Sequence, residues 1–266
     1  MENTARQLES KIIPFRVLGN TKEPPKYKKD GTVKRSGGRQ YEGSSLVYPI
    51  KDLAELEKFI RVFKEEAEDV TKKEYESFIA ARNFLLIMIG LNSAYRISDI
   101  ISLKWKDVFD SNGDFREVQI HEKKTGKYRS FYLNDVVKTA ITNYLRNENV
   151  QSYMKKATGR IQPKLHDYIF FTRKSEKEHI NSNTARMFIK EAADKVGINM
   201  NVGTHTLRKT FVYHTLKKNP TALNTLMECL NHSSQAMTLK YATITGEEIN
   251  QLYDGIGELY SGMIGG

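Results

Sequence analysis

The sequence predicts a mainly α-helical domain with a small antiparallel β-sheet, an α+β fold. Three observations predict it. Apolar residues recur at helical spacing in segment after segment from Leu46 onward. One stretch, residues 115–133, alternates apolar and polar positions instead. The chain has 266 residues, of which 39% are hydrophobic, enough for one sizeable core and an appendage.

Residues 1–45 stand apart. Pro24-Pro25, Gly37-Gly38 and scattered basic residues occur there with almost no apolar periodicity. They predict a basic, poorly structured N-terminal arm, either a solvated tail or a segment that orders along a polyanion. Residues 46–266 read as the folded domain. Leu53, Leu56, Phe59, Ile60 and Phe63 predict a helix starting near Asp52, and a second runs from about Lys73 to Leu91. A third follows Arg96, with Ile97, Ile100, Ile101 and Leu103 apolar.

Val118 and Ile120, then Phe131 and Leu133, alternate with polar residues around the turn Lys123-Lys124-Thr125-Gly126-Lys127, which predicts a β-hairpin. A helix over about 135–146, a short strand at Tyr168–Phe171 and a helix over 181–196 come next. Leu223, Leu226, Met227 and Leu230 define an amphipathic helix opening after Pro220. A C-terminal helix spans about 246–262. Thr245 and Glu248 have capping-box spacing there, and Ile249, Leu252, Tyr253 and Ile256 form its apolar stripe.

Charge narrows the function classes. Lys and Arg number 42 against 32 Asp and Glu, a formal net charge of +10. That surplus suits a polyanionic partner, because each cation placed on a phosphate releases condensed counterions. The single cysteine, Cys229, excludes an intrachain disulfide and fits a reducing compartment. The apolar run Phe84–Leu91 is far too short for a membrane span, and the N-terminus has no apolar signal core. The expectation is a soluble cytoplasmic protein.

The most informative segment is Thr204-His205-Thr206-Leu207-Arg208-Lys209-Thr210. On a helix His205 and Arg208 share a face, with Leu207 and Phe211 anchoring an adjacent one. Arg offers a bidentate fork to phosphate oxygens, and His can move a proton near neutral pH. Upstream stands Ala94-Tyr95-Arg96-Ile97-Ser98-Asp99-Ile100-Ile101-Ser102-Leu103-Lys104-Trp105. Downstream stand Cys229-Leu230-Asn231-His232-Ser233-Ser234 and Thr238-Leu239-Lys240-Tyr241-Ala242.

Over residues 46–266 this order resembles the tyrosine recombinase (phage integrase) family. Its pattern is an Arg in a GLRISE-L-LKW segment, a hairpin Lys, an H-LR helix, an LGHSS segment and a Tyr about nine residues on. The resemblance implies the tyrosine recombinase catalytic-domain fold. It also implies roles. Arg96 and Arg208 would clamp the scissile phosphate, and Lys124 would protonate the leaving 5′ oxygen. His205 would assist proton transfer, and His232 would hydrogen-bond the phosphate. Tyr241 would be the nucleophile, forming a 3′-phosphotyrosyl bond. Lys123 and Lys127 share the turn with Lys124, and only the hairpin register decides among them.

Two positions depart from the pattern. Asn231 replaces the Gly of LGHSS; Asn is the next-best residue for a left-handed helix end. Tyr95 replaces the Leu of GLR beside the first clamp arginine. The chain also resembles short phage-type or mobile-element integrases that lack an N-terminal core-binding domain.

The implied function is site-specific recombination of double-stranded DNA, without ATP, a metal or another cofactor. The alternatives are a DNA-binding regulator on the same fold and a topoisomerase-like relaxing activity. The implied assembly is a homo-oligomer, a tetramer on DNA, joined through the C-terminal helix, with accessory DNA-bending proteins as further partners. That helix could equally pack back in cis.

Overall fold

The computed structural model describes residues 46–122, 126–172, 175, 177–242, 253–258 and 260–261. The predicted arm at 1–45 and most of the predicted C-terminal helix lie outside them. The described part is mostly helical with one two-stranded sheet.

Helix α1 (Leu53–Glu68) starts where Asp52 caps the free amide of Glu55 at 2.8 Å. It buries Phe59 and Phe63 against α2 (Glu74–Asn92). The latter is apolar on nearly all sides and is the central post of the core, touching α1, α5, α6 and α8. Two single-turn helices follow, α3 (Ile97–Ile100) and α4 (Trp105–Val108). Strands β1 (Val118–His121) and β2 (Tyr128–Phe131) pair antiparallel, with Val118 opposite Phe131 and Ile120 opposite Arg129.

Helices α5 (Asp135–Arg146) and α6 (Glu148–Thr158) are separated by Asn147 alone. Its backbone closes α5, and its side chain caps α6 by accepting from the amides of Asn149 and Val150. Helix α7 (Ser182–Lys195) begins at the cap Asn181, and α8 (Thr204–Lys218) is the helix of the His-Arg segment. A 3-10 turn at Pro220–Ala222 leads into α9 (Leu223–Leu230), and α10 (Gln235–Ala242) carries Tyr241.

Two expectations need correction. The predicted strand at Tyr168–Phe171 makes only single bridges, Lys104 with Tyr168 and Phe171 with His179. Ile169 and Phe170 are fully buried, and their backbone bonds go to Leu103 and Ile180. The apolar run is a core connector whose partners on either side are irregular chain. Helices α4 and α6 were not anticipated. The apolar positions of α6, Val150 and Met154, are too few to mark a period.

Two details of packing place the site. A Cβ on Gly90 of α2 would stand 2.5 Å from Cδ1 of Leu207 on α8, so the missing side chain lets the two helices approach closely. Gly90→Ala is expected to destabilise the fold by about 1–3 kcal/mol through overpacking, read as a lower denaturant midpoint at unchanged slope.

The lead-in residues 46–50 are strapped along α8. Ile50 N–H donates to Thr210 Oγ1 at 2.9 Å, Lys209 Nζ donates to the Val47 carbonyl at 2.7 Å, and His214 Nε2 donates to the Ile50 carbonyl at 2.9 Å. Asn201 adds bonds to Leu46 and Tyr48.

The main core runs from Ile50 to Leu207. A smaller cluster of Ala94, Val212, Leu226 and Leu230 lies beside it, with Tyr241 packed on its edge. Among the described residues no helix is long and apolar enough to cross a membrane. Residues 253–258 and 260–261 are helical, and Tyr253, Ile256 and Tyr260 there are exposed, Tyr253 by 73%.

Candidate active site

Arg208 sits one turn into α8, where Leu207 is locked into the core and turns the helix so that the arginine points inward. It is 1% exposed. Its Nη2 donates to the Leu230 carbonyl at the end of α9, at 2.9 Å. Among the described residues Nε and Nη1 find no acceptor. Unpaired buried N–H groups are costly, so a guanidinium fork left this way is built for an anion. Burial lowers the Arg208 pKa to about 10, and Tyr241 beside it pulls the other way; the group stays charged at neutral pH.

Tyr241 projects from α10 over that arginine, its ring centroid 5.3 Å from Arg208 Cζ. The ring of His232 lies 5.0 Å from that of Tyr241. His232 follows the helix end that Asn231 makes. Asn231 has φ 56 and ψ 43, the left-handed conformation expected of a residue in a glycine position. Its side chain does what Gly cannot: Oδ1 accepts from Lys127 Nζ of the hairpin at 3.1 Å.

His232 Nδ1 pairs with Thr238 Oγ1 at 3.1 Å. Burial, then Arg208, Arg96 and Arg129, push the His232 pKa down to about 4, with Glu122 offsetting part of the effect. The imidazole is therefore neutral at neutral pH. Its pKa is below the unfolded value near 6.5, so its contribution to stability is complete above about pH 6.5. That contribution is lost as pH falls from there to about 4, because the unfolded chain takes up the proton first. The denaturant midpoint is expected to fall over this window, and less steeply in His232→Gln.

Arg96 immediately precedes α3, and its Nη1 forms an ion pair with Glu122 Oε1 at 2.6 Å. It is close enough to bear electrostatically on both Arg208 and His232. The bulky Tyr95 turns the other way. Its ring is buried edge-on against Phe131 of the hairpin, and burial raises its pKa. The large residue beside Arg96 is thus absorbed by the sheet.

The structure brings Arg96, Arg208, His232 and Tyr241 together. His205 lies on the same helix as Arg208 but is exposed where Arg208 is buried, so the pair is presented at two depths. Lys124 lies outside the described residues; Glu122, just after β1, pairs with Arg96, and Lys127, just before β2, bonds to Asn231. Two participants escaped sequence reasoning, Glu122 and Arg129. The alternation that turns Val118 and Ile120 inward also turns Glu122 inward, and that of Phe131 and Leu133 does the same for Arg129. Among the described residues no three His, Cys, Asp or Glu side chains converge as metal ligands would.

The model of the phage integrase family matches residues 61–248. The chain belongs to the phage integrase family. Among curated proteins, this integrase-family chain is 29% identical over 214 residues to the probable integrase/recombinase YoeC of Bacillus subtilis (strain 168), covering 80% of this chain and 99% of that one. It is 24% identical over 180 residues to tyrosine recombinase XerC of Thermodesulfovibrio yellowstonii, covering 67% of this chain and 56% of that protein.

Among solved structures, the XerH recombinase bound to its difH substrate aligns with TM-score 0.58 and 20% identity, over 85% of this chain and 58% of that one. The XerA recombinase aligns with TM-score 0.54 and 18% identity, over 80% and 64%. At such identities the structural likeness speaks to the fold, which is that of the recombinase catalytic domain. The integrase-family chain spans a little over half the length of these XerC and XerH proteins.

Proposed function

We propose that this integrase-family protein is a site-specific DNA recombinase that cuts and rejoins double-stranded DNA through Tyr241. The observation that carries the reading is the buried Arg208 fork, with two donors open, under the ring of Tyr241. A phosphodiester seated there gains negative charge on its equatorial oxygens as the tyrosine attacks. We assign Arg208 and Arg96 to stabilise that charge, each well-aimed donor being worth a few kcal/mol in a dry site.

Tyrosine ionises near pH 10, so it needs help as a nucleophile. His205, exposed on the helix that bears Arg208, is the proton acceptor we assign. Neutral His232 can donate one hydrogen bond to the phosphate without adding charge. Lys124 is assigned to the leaving 5′ oxygen. The 3′-phosphotyrosyl bond conserves the phosphodiester energy, so resealing needs no ATP.

Residues 1–45 are assigned to a basic arm along the DNA. The exposed Tyr253, Ile256 and Tyr260 suit docking on a neighbouring copy better than packing in cis.

The test is covalent capture. Protein is incubated with a pool of nicked duplexes of randomised core sequence, so that cleavage next to the nick releases a short fragment and traps the intermediate. SDS-stable protein–DNA adducts that yield a recovered consensus are the expected result. DNA retained on native filters without any adduct would leave a DNA-binding regulator and overturn the recombinase reading.

A further inference from the structure

The proposed chemistry leaves a buried carboxylate unused. Glu122 follows β1 directly, and its side chain is 0% exposed. Oε1 lies 2.6 Å from Nη1 of Arg96 and 2.8 Å from Nη1 of Arg129. The Arg129 side chain, 5% exposed, also reaches the Ala94 carbonyl at 3.4 Å and lies over the Tyr95 ring at 4.5 Å. One carboxylate oxygen therefore ties the hairpin to the backbone on which Arg96 stands.

Arg96 needs such a tie. It stands at the cap of a single-turn helix, with no long element to fix it. Without Glu122, two guanidinium groups would face each other in a low-dielectric site beside a third, Arg208, and would turn apart.

We propose that Glu122 is a positioning residue for Arg96. Its ion pair with Nη1 holds the guanidinium in place and so aims the fork at the phosphate. Arg129 is its backstop: it holds Glu122 from behind, so that an entering phosphate meets Arg96 already oriented. Because Glu122 belongs to the hairpin, Arg96 is correctly set only while the hairpin is docked. This inference rests on the recombinase reading.

The test uses the full chain and the duplex recovered by covalent capture, in single-turnover cleavage. Glu122→Gln keeps the shape and removes the charge. Cleavage is expected to slow by about 10–100-fold with DNA affinity within about twofold, a defect in the chemical step alone. In an Arg96→Ala background the same change should alter the rate by less than about threefold, because the residue through which Glu122 acts is gone. The defect should persist when the bridging 5′ oxygen is replaced by sulfur, whose departure needs no proton.

A wild-type rate in Glu122→Gln, a fully additive double variant, or restoration by the sulfur substrate would each overturn the proposal. If Glu122→Gln lacks a cooperative melt, Glu122→Asp, which keeps the charge but shortens the reach, takes its place with the same expectations. Absence of any adduct with the wild-type protein overturns the recombinase reading and this inference with it. An adduct formed at equal rates by wild type and variant overturns this inference alone.

Discussion

Tyr241→Phe is expected to abolish the SDS-stable adduct while leaving DNA retention within about twofold. Only the hydroxyl is lost. The ring keeps its place over Arg208, beside His232 and on the edge of the small apolar cluster of Val212, Leu226 and Leu230. Stability should therefore change by less than about 1 kcal/mol. Loss of an essential nucleophile costs on the order of 10⁴-fold or more, which takes cleavage below detection.

The other tyrosines supply the control. Tyr213, on α8, is flanked by Lys51 and Lys217, whose ammonium groups stand 5.0 and 5.9 Å from its ring centroid. Tyr253 lies on the exposed C-terminal helix. Tyr213→Phe and Tyr253→Phe should still form the adduct. An adduct of normal yield in Tyr241→Phe would move the nucleophile elsewhere.

Arg208→Met is expected to do two opposite things. Cleavage should fall by about 10²–10³-fold or more, the usual consequence of removing a principal donor to the developing charge. The folded state should become more stable, by about 1 kcal/mol, measured as a higher denaturant midpoint. The gain follows from burial: Met fills similar volume without two unpaired N–H groups or a desolvated charge, which outweighs loss of the bond to the Leu230 carbonyl and of the cation's contact with the Tyr241 ring. Arg208→Lys keeps the charge but loses the fork, and should cleave at a rate between the two. An Arg208→Met protein that is both inactive and unstable would show that the arginine serves the fold instead.

Most helices were legible in the sequence from the face that met the core; α4 and α6, which each bring two buried residues to it, were not. Caps such as Asp52 and Asn181 fall at the expected starts, and α5 has the bounds that its pattern gives. The four residues that converge, Arg96, Arg208, His232 and Tyr241, were legible from the order of their motifs. Their depths were not, because helical spacing sets direction around an axis and says nothing of how far a face is covered; His205 and Arg208 differ for that reason.

Glu122 and Arg129 stayed hidden because a charged residue at an inward strand position reads as an error in the pattern. Each is explicable only when its partner across the hairpin is known. Tyr95, next to Arg96 in sequence, packs its ring edge-on against Phe131, on a surface supplied by a strand distant in sequence.

The strap at residues 46–50 has a mechanical consequence. Its bonds to Thr210, Lys209 and His214 lie along the helix that bears Arg208. Tension on the chain ahead of Leu46 would load those bonds in shear and arrive first at α8, rather than being spread through the bulk of the core. The strap is a handle on α8. A pull on the preceding residues is a pull on the helix that bears Arg208, the residue assigned to the phosphate.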